Sequence, residues 1–77
     1  MRETAYFLIV LARNTPAAVA RECLEIDGVL DAYVTMGEYD IIAVAEMEGT
    51  RGFPSVAGQI QRIEGVAKVS TCIVVKP

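Results

Sequence analysis

A short pattern occurs twice in the sequence, and this repeat limits the fold more than any other feature. Ile26-Asp27-Gly28-Val29 recurs as Ile63-Glu64-Gly65-Val66. Each copy follows a stretch with apolar residues at helical spacing and precedes a stretch rich in apolar, β-branched residues. A helix end, a glycine and a strand start at matching places indicate two halves, each built as strand, helix and strand.

The first half begins with residues 5–12, a continuous apolar run that predicts a strand buried on both faces. Thr15-Pro16 predicts a helix start, with the threonine hydroxyl as N-cap and proline at the first helical position. Gly28 is predicted to end this helix as its C′ residue. The apolar stripe of the helix comprises Val19, Cys23 and Ile26.

A β-hairpin is predicted at the middle of the chain. Its strands cover residues 29–36 and 39–47, and Gly37-Glu38 forms a two-residue type II′ turn, because glycine accepts the positive φ that this turn requires. Strand alternation places one set of side chains on one face and a second set on the other. The two sets are Leu30, Ala32, Val34 and Met36, and Asp31, Tyr33 and Thr35.

The second half repeats the arrangement. Pro54 marks the first turn of a second helix, Gly65 closes it, and residues 66–75 form the last strand. The apolar positions of this helix are Phe53, Val56, Ala57, Ile60 and Ile63. The order βαββαβ predicts one α+β domain over residues 1–77, a ferredoxin-like four-stranded antiparallel sheet with both helices on one face.

The apolar content predicts an oligomer. Apolar residues make up 53% of the chain and the mean hydropathy is +0.40, while a monomer of this size hides only about 60% of its unfolded surface. The helices cover one face of the sheet, yet the first and third strands are apolar on both. We therefore expect a dimer formed through the open sheet face, which would bury Tyr33, Thr35 and alternate residues of the other strands.

Composition argues against several functions. A net charge of −3 with scattered basic residues opposes nucleic-acid binding. Histidine is absent and Cys23 and Cys72 lie far apart, so no metal site, catalytic group or cofactor is predicted. The apolar runs are too short to span a membrane, and the start of the chain does not have the pattern of a signal peptide. We expect a cytoplasmic protein with reduced thiols.

The Gly37-Glu38-Tyr39-Asp40 hairpin, together with Ile63-Glu64-Gly65-Val66, Thr71 and the final apolar strand, resembles the effector-binding (RAM) domain of Lrp/AsnC transcription regulators. The resemblance covers nearly the whole chain. It implies a ferredoxin-like fold, dimers formed through the sheets, and association of dimers into octamers or decamers. It also implies a small effector, usually an amino acid, bound between dimers. Since the family's helix-turn-helix is missing, the chain resembles a stand-alone effector domain.

Residues transferred from the family motif define the expected ligand site. Gly37, Tyr39 and Asp40 match the hairpin motif, and Thr71 matches the second of two spaced threonines. Met36 stands where the family usually has serine or threonine, and Val69 replaces the first threonine. Both departures remove a hydroxyl, so the expected pocket is less polar than is usual in the family.

The leading hypothesis is an amino-acid sensor or accessory subunit that regulates through a DNA-binding relative without binding DNA itself. Three alternatives stay open at this point. One is a small ferredoxin-like enzyme of the dimeric monooxygenase or isomerase type, although the sequence offers no acid and base pair. The others are an ACT-like regulatory module and a purely structural oligomeriser.

Overall fold

The computed structural model describes residues 1–77 and contains six elements. They are β1 (Arg2–Leu11), α1 (Pro16–Leu24), β2 (Val29–Val34), β3 (Ile41–Glu48), α2 (Phe53–Gln61) and β4 (Val66–Ile73). The four strands form one antiparallel sheet in the order β2-β3-β1-β4. The predicted ferredoxin-like βαββαβ fold is confirmed. No helix is both long and apolar enough to cross a membrane.

The hydrophobic core lies between the two helices and one face of the sheet. Its fully buried residues come from alternate positions of β1 and β3 and from the inner faces of α1 and α2. Phe7 of β1 and Phe53 of α2 meet edge to face, with ring centroids 6.3 Å apart, a geometry worth about 0.5–1.5 kcal/mol beyond area burial. The larger core residues are Phe7, Ile9, Val19, Cys23, Ile41, Phe53, Val56 and Ile60.

The opposite face of the sheet carries no helix. The register places Tyr6 beside Val44 and Leu8 beside Ile42 on this face, and Tyr33 extends it onto β2. Tyr33 is 54% exposed and Tyr6 is 41% exposed, whereas the aliphatic side chains between them are half-buried by their neighbours. The predicted open face is therefore present and apolar.

The helix boundaries differ from the sequence prediction in three respects, one of which is that α2 ends at Gln61 with Arg62 as its cap, so the prediction that Gly65 closes it is wrong. Thr15 is the N-cap of α1 and proline follows it, but its hydroxyl makes no capping bond. The Thr15 amide instead donates to Asn14 Oδ1 over 2.7 Å, because Asn14 turns the chain with a φ of 85°. The prediction that Gly28 is the C′ residue of α1 is also wrong, since the helix ends at Leu24 and Glu25 caps it.

The two repeated glycines join loops to neighbouring strands. Gly28 and Gly65 both have φ near +95°, which glycine adopts without strain. The Gly28 carbonyl accepts the Glu46 amide of β3 over 2.9 Å, and the Gly65 carbonyl accepts the Ala12 amide beyond β1 over 2.8 Å. At Gly65 a side chain would clash with the loop after β1. The repeat thus marks equivalent contacts in the two halves.

A β-bulge near the start of β2 changes the predicted alternation. Val29 pairs with Ala45 and Asp31 pairs with Val44, which leaves Leu30 as the extra residue. Val29 and Ala32 pack against the core, whereas Leu30 is exposed. The predicted face is therefore wrong for Leu30.

Candidate functional site

The centre of the chain forms the predicted hairpin, but its loop is longer than a two-residue turn. The last ladder pair is Val34 with Ile41, and the Thr35 amide then donates to the Asp40 carbonyl over 2.9 Å. Four residues, Met36 to Tyr39, lie beyond this bond. The prediction of Gly37-Glu38 as a type II′ turn is wrong, because backbone pairing stops at Thr35 and Asp40 and leaves four residues in the loop instead of two. Gly37, with φ of 147°, lies in this loop.

A side-chain hydrogen bond holds this loop across its base. The Thr35 hydroxyl donates to the Tyr39 carbonyl over 2.7 Å. Tyr39 is half-buried, whereas Met36, Gly37 and Glu38 are exposed and the Met36 side chain is fully so. The loop therefore presents an apolar side chain and free backbone to solvent on a fixed base.

Asp40 connects the base of the hairpin to β1. Its amide donates to the Ile9 carbonyl over 2.9 Å, and its carboxylate Oδ2 accepts the Leu11 amide over 2.7 Å. The second carboxylate oxygen, Oδ1, has no hydrogen-bond partner in the chain. Asp40 thus combines a structural contact with an unused acceptor at the same half-buried position.

Thr71 lies on a different strand from the hairpin residues. It is exposed on edge strand β4, where it pairs with Phe7. In the sheet, β1 and β3 lie between β4 and β2, the outer strand of the hairpin. Ser70 pairs with Leu8 and has the opposite orientation. Within one chain the structure brings Gly37, Tyr39 and Asp40 together and keeps Thr71 apart from them.

Val69 has the same strand parity as Thr71 but a different environment. It pairs with Ile9 and packs against the core between the sheet and the helices. An apolar side chain fits this position, which gives the departure from the family pattern a packing reason. Met36, the other departure, contacts solvent.

Two contributors to this region were missed in the sequence. The Thr35 hydroxyl is one. It bonds a carbonyl four residues after it, whereas Ser and Thr side chains more often bond carbonyls three or four residues before them, so its position gave no signal. The Leu11 amide is the other. A backbone donor has no residue signature, so only the strand register identifies it.

One groove of about 590 Å³ opens at the other end of the sheet. Residues 1–4 and 73–76 line it together with Glu46 and Thr50. None of the expected site residues borders this groove. A site completed by a second copy need not form a cavity in one chain, so the groove's volume does not argue against the hairpin.

The two thiols lie in contrasting environments. Cys23 is fully buried on α1, and this burial, with the neighbouring Glu22 carboxylate as a smaller cause, raises the pKa of its thiol from 9.0 to about 11. Cys72 is exposed on β4 and pairs with Tyr6, on the open face. Cys23 is accordingly an unreactive core residue near neutral pH.

The model of the Lrp/AsnC ligand-binding domain matches residues 4–77. The chain belongs to the Lrp/AsnC ligand-binding domain family. The match includes the hairpin with Gly37, Tyr39 and Asp40, and it extends through β4. Comparison with the sequences of curated proteins gave no match.

Solved structures share this architecture. TTHA0845 from Thermus thermophilus is 26% identical, with a TM-score of 0.88 and coverage of 97% of this chain and 95% of that one. The hypothetical protein PHS023 from Pyrococcus horikoshii is 28% identical, with a TM-score of 0.82 over 100% of this chain and 93% of its own. Both are matched over nearly their whole length.

A larger regulator also contains this fold. The transcriptional regulator NMB0573 from Neisseria meningitidis, solved as a complex with L-Met, is 18% identical with a TM-score of 0.77. The match covers 96% of this chain and 50% of that regulator. At this identity the likeness shows the shared fold.

Proposed function

We propose that this Lrp/AsnC domain is a cytoplasmic, oligomeric module that binds a small effector of the amino-acid class at its central hairpin. It acts as a sensor or accessory subunit in transcriptional or metabolic regulation, without binding DNA itself. It carries out no reaction, and a DNA-binding relative is its proposed partner in regulation. The observation that carries the proposal is a solvent-exposed family hairpin motif whose Asp40 keeps a free carboxylate oxygen.

The proposed site combines two copies of the chain. Gly37, Tyr39 and Asp40 line it from the hairpin of one copy, and Thr71 comes from β4 of a neighbouring copy. Asp40 Oδ1 is the acceptor for the effector ammonium, since charge-assisted bonds of this kind are the strong ones. The exposed backbone around Gly37 accommodates the carboxylate. The separation of Thr71 from the hairpin within one chain supports a site shared between copies.

Dimers form through the open face of the sheet in this proposal, and dimers associate further into rings of octamer or decamer size. The apolar residues Tyr6, Leu8, Ile42 and Tyr33 support the dimer, because a soluble monomer rarely exposes such a continuous patch. Effector binding then shifts the population of assembly states by as much as its affinity differs between them.

An apolar amino acid is the effector class that this chain favours. Met36 stands where a hydroxyl group is expected, and its exposed side chain offers an apolar ligand more contacts than a polar one. L-Methionine is the first effector to test, since a regulator with this fold was solved with it.

A thermal-shift screen against the twenty amino acids tests the proposal. A ligand at 100 times its Kd stabilises the native state by about 2.7 kcal/mol, which corresponds to a rise of roughly 10–20 °C in Tm. Asp40→Ala should abolish the response, whereas Asp27→Ala, an exposed aspartate outside the site, should retain it. If no amino acid raised Tm while the assembly stayed intact, a structural oligomeriser would replace the sensor.

A further inference from the structure

We infer that Asp40 is a positioning residue whose carboxylate fastens the hairpin to the end of β1 and so sets the geometry of the effector site. This inference deepens the proposed function. Its consequence for binding rests on that function, but the fastening itself is a property of the free chain and is tested without effector.

Three hydrogen bonds converge on Asp40. Its carbonyl accepts the Thr35 amide over 2.9 Å, its amide donates to the Ile9 carbonyl over 2.9 Å, and its Oδ2 accepts the Leu11 amide over 2.7 Å. The first bond closes the hairpin loop, and the other two attach the loop to β1. Asp40 is thus the joint between β1, β2 and β3 at this end of the sheet.

The carboxylate replaces a missing strand partner. The ladder between β1 and β3 ends at the pair Ile9 and Ile41, so the Leu11 amide lies beyond the last paired residue. A half-buried amide that has no acceptor destabilises the folded state. Asp40 Oδ2 supplies that acceptor, and its charge shortens and strengthens the bond.

The residues that follow Leu11 are bonded to the turn before β4. Directly after Leu11, the amides of Ala12 and Arg13 donate to the Gly65 carbonyl over 2.8 and 3.3 Å. The Asn14 side-chain amide donates to the Glu64 carbonyl over 2.9 Å. Asp40 therefore holds a segment of β1 that is itself bonded to the turn leading into β4.

An asparagine at this position separates positioning from effector contact. The amide oxygen of asparagine can accept the Leu11 amide as Oδ2 does, but its second group is an NH₂ donor that repels an ammonium. Asp40→Asn should keep the fastening and lose the effector, whereas Asp40→Ala should lose both. Asp40→Asn thus removes the effector contact alone, and the difference between the two variants reports the fastening.

Amide hydrogen exchange of Leu11, measured by NMR on the free chain, tests the inference. Asp40→Ala should accelerate exchange of the Leu11 amide by about tenfold or more relative to the Phe7 amide of the same strand. Asp40→Asn and the control Asp27→Ala should leave that ratio within about threefold of the unmutated chain. In the unmutated chain, a scalar coupling across the hydrogen bond should connect the Leu11 nitrogen to the Asp40 carboxyl carbon.

Two outcomes overturn the inference. One is a Leu11 exchange rate in Asp40→Ala that equals the unmutated rate after normalisation to Phe7. The other is the absence of the through-bond coupling, which needs no variant and so decides the matter even if Asp40→Ala does not fold. Failure of the amino-acid screen with the Leu11 results intact would overturn the effector proposal and leave the fastening in place.

Discussion

The two faces of the sheet are both apolar at the centre of β1 and β3 but differ in what covers them. On the helix-covered face, Phe7 and Ile9 are fully buried. On the open face, Tyr6 is exposed and Leu8 is only half-buried, although both belong to the same strand. Adjacent residues of one apolar run therefore serve different ends. Phe7 and Ile9 stabilise the single chain. Tyr6 and Leu8, by our proposal, join one chain to another.

Mutating one residue on each face of β1 should distinguish stabilisation of the single chain from assembly, and the buried residue should give the largest effect. Phe7→Ala should lower the free energy of unfolding by about 3–5 kcal/mol, because it removes a buried ring that packs on Phe53. Leu8→Ala should act mainly by weakening assembly. The difference in Tm between this variant and the unmutated chain should therefore depend on protein concentration. Denaturation at several concentrations checks both. A loss for Leu8→Ala that did not depend on concentration would remove the distinction between the faces.

The core between the helices and the sheet also contains the buried thiol of Cys23, which makes the free energy of unfolding depend on pH. Cys23 has a pKa near 9.0 when unfolded and about 11 when folded. Because the raised pKa favours the neutral folded thiol, its contribution is fully present below pH 9 and is lost as the pH rises through 11. Two pKa units correspond to about 2.7 kcal/mol.

The measurement for this thiol is the free energy of unfolding between pH 8 and pH 11 in the unmutated chain and in Cys23→Ala. The unmutated chain should lose more stability over that range, since other groups titrate alike in both. Val19→Ala, which shortens another fully buried side chain of α1 that does not titrate, is the matched control and should keep the pH dependence of the unmutated chain. Parallel curves for Cys23→Ala and the unmutated chain would contradict the assignment.

The smallest expected effect concerns the other thiol. Cys72 pairs with Tyr6 on the open face and is exposed in the single chain. A thiol reagent should modify it more slowly at high protein concentration than at low concentration, because assembly through that face shields it. Cys23 should stay unmodified at both concentrations until the chain unfolds. Equal Cys72 rates across a wide concentration range would show that the face stays uncovered.

Much of the fold could be predicted because local patterns determine it. Apolar spacing placed both helices, and the repeated Ile-acid-Gly-Val pattern gave the order of elements. The errors share a different cause. The bulge at Leu30 and the longer loop around Gly37 arise where one segment meets another. Asn14 bonds the adjacent Thr15 amide, but it is itself held by the distant Glu64 carbonyl, so nearby residues alone do not reveal these features.

The candidate site also combines features that local patterns reveal with features that they do not. The hairpin motif located Gly37, Tyr39 and Asp40, because these residue types and their spacing are visible in the chain. The bond from the Leu11 amide to Asp40 was not visible, since it depends on where the ladder between β1 and β3 ends. That Gly37, Tyr39 and Asp40 bind an effector, and that Thr71 joins them from a neighbouring copy, stay predictions.

The molar mass in solution tests the contrast between the faces most directly. One chain has a mass of 8.3 kDa. Light scattering coupled to size-exclusion chromatography should return an integral multiple of that mass, twice or more, and Ile42→Glu on the open face should reduce it. A mass of 8.3 kDa for the unmutated chain at tens of micromolar would contradict the account, because the open apolar face would then have no second copy to cover it.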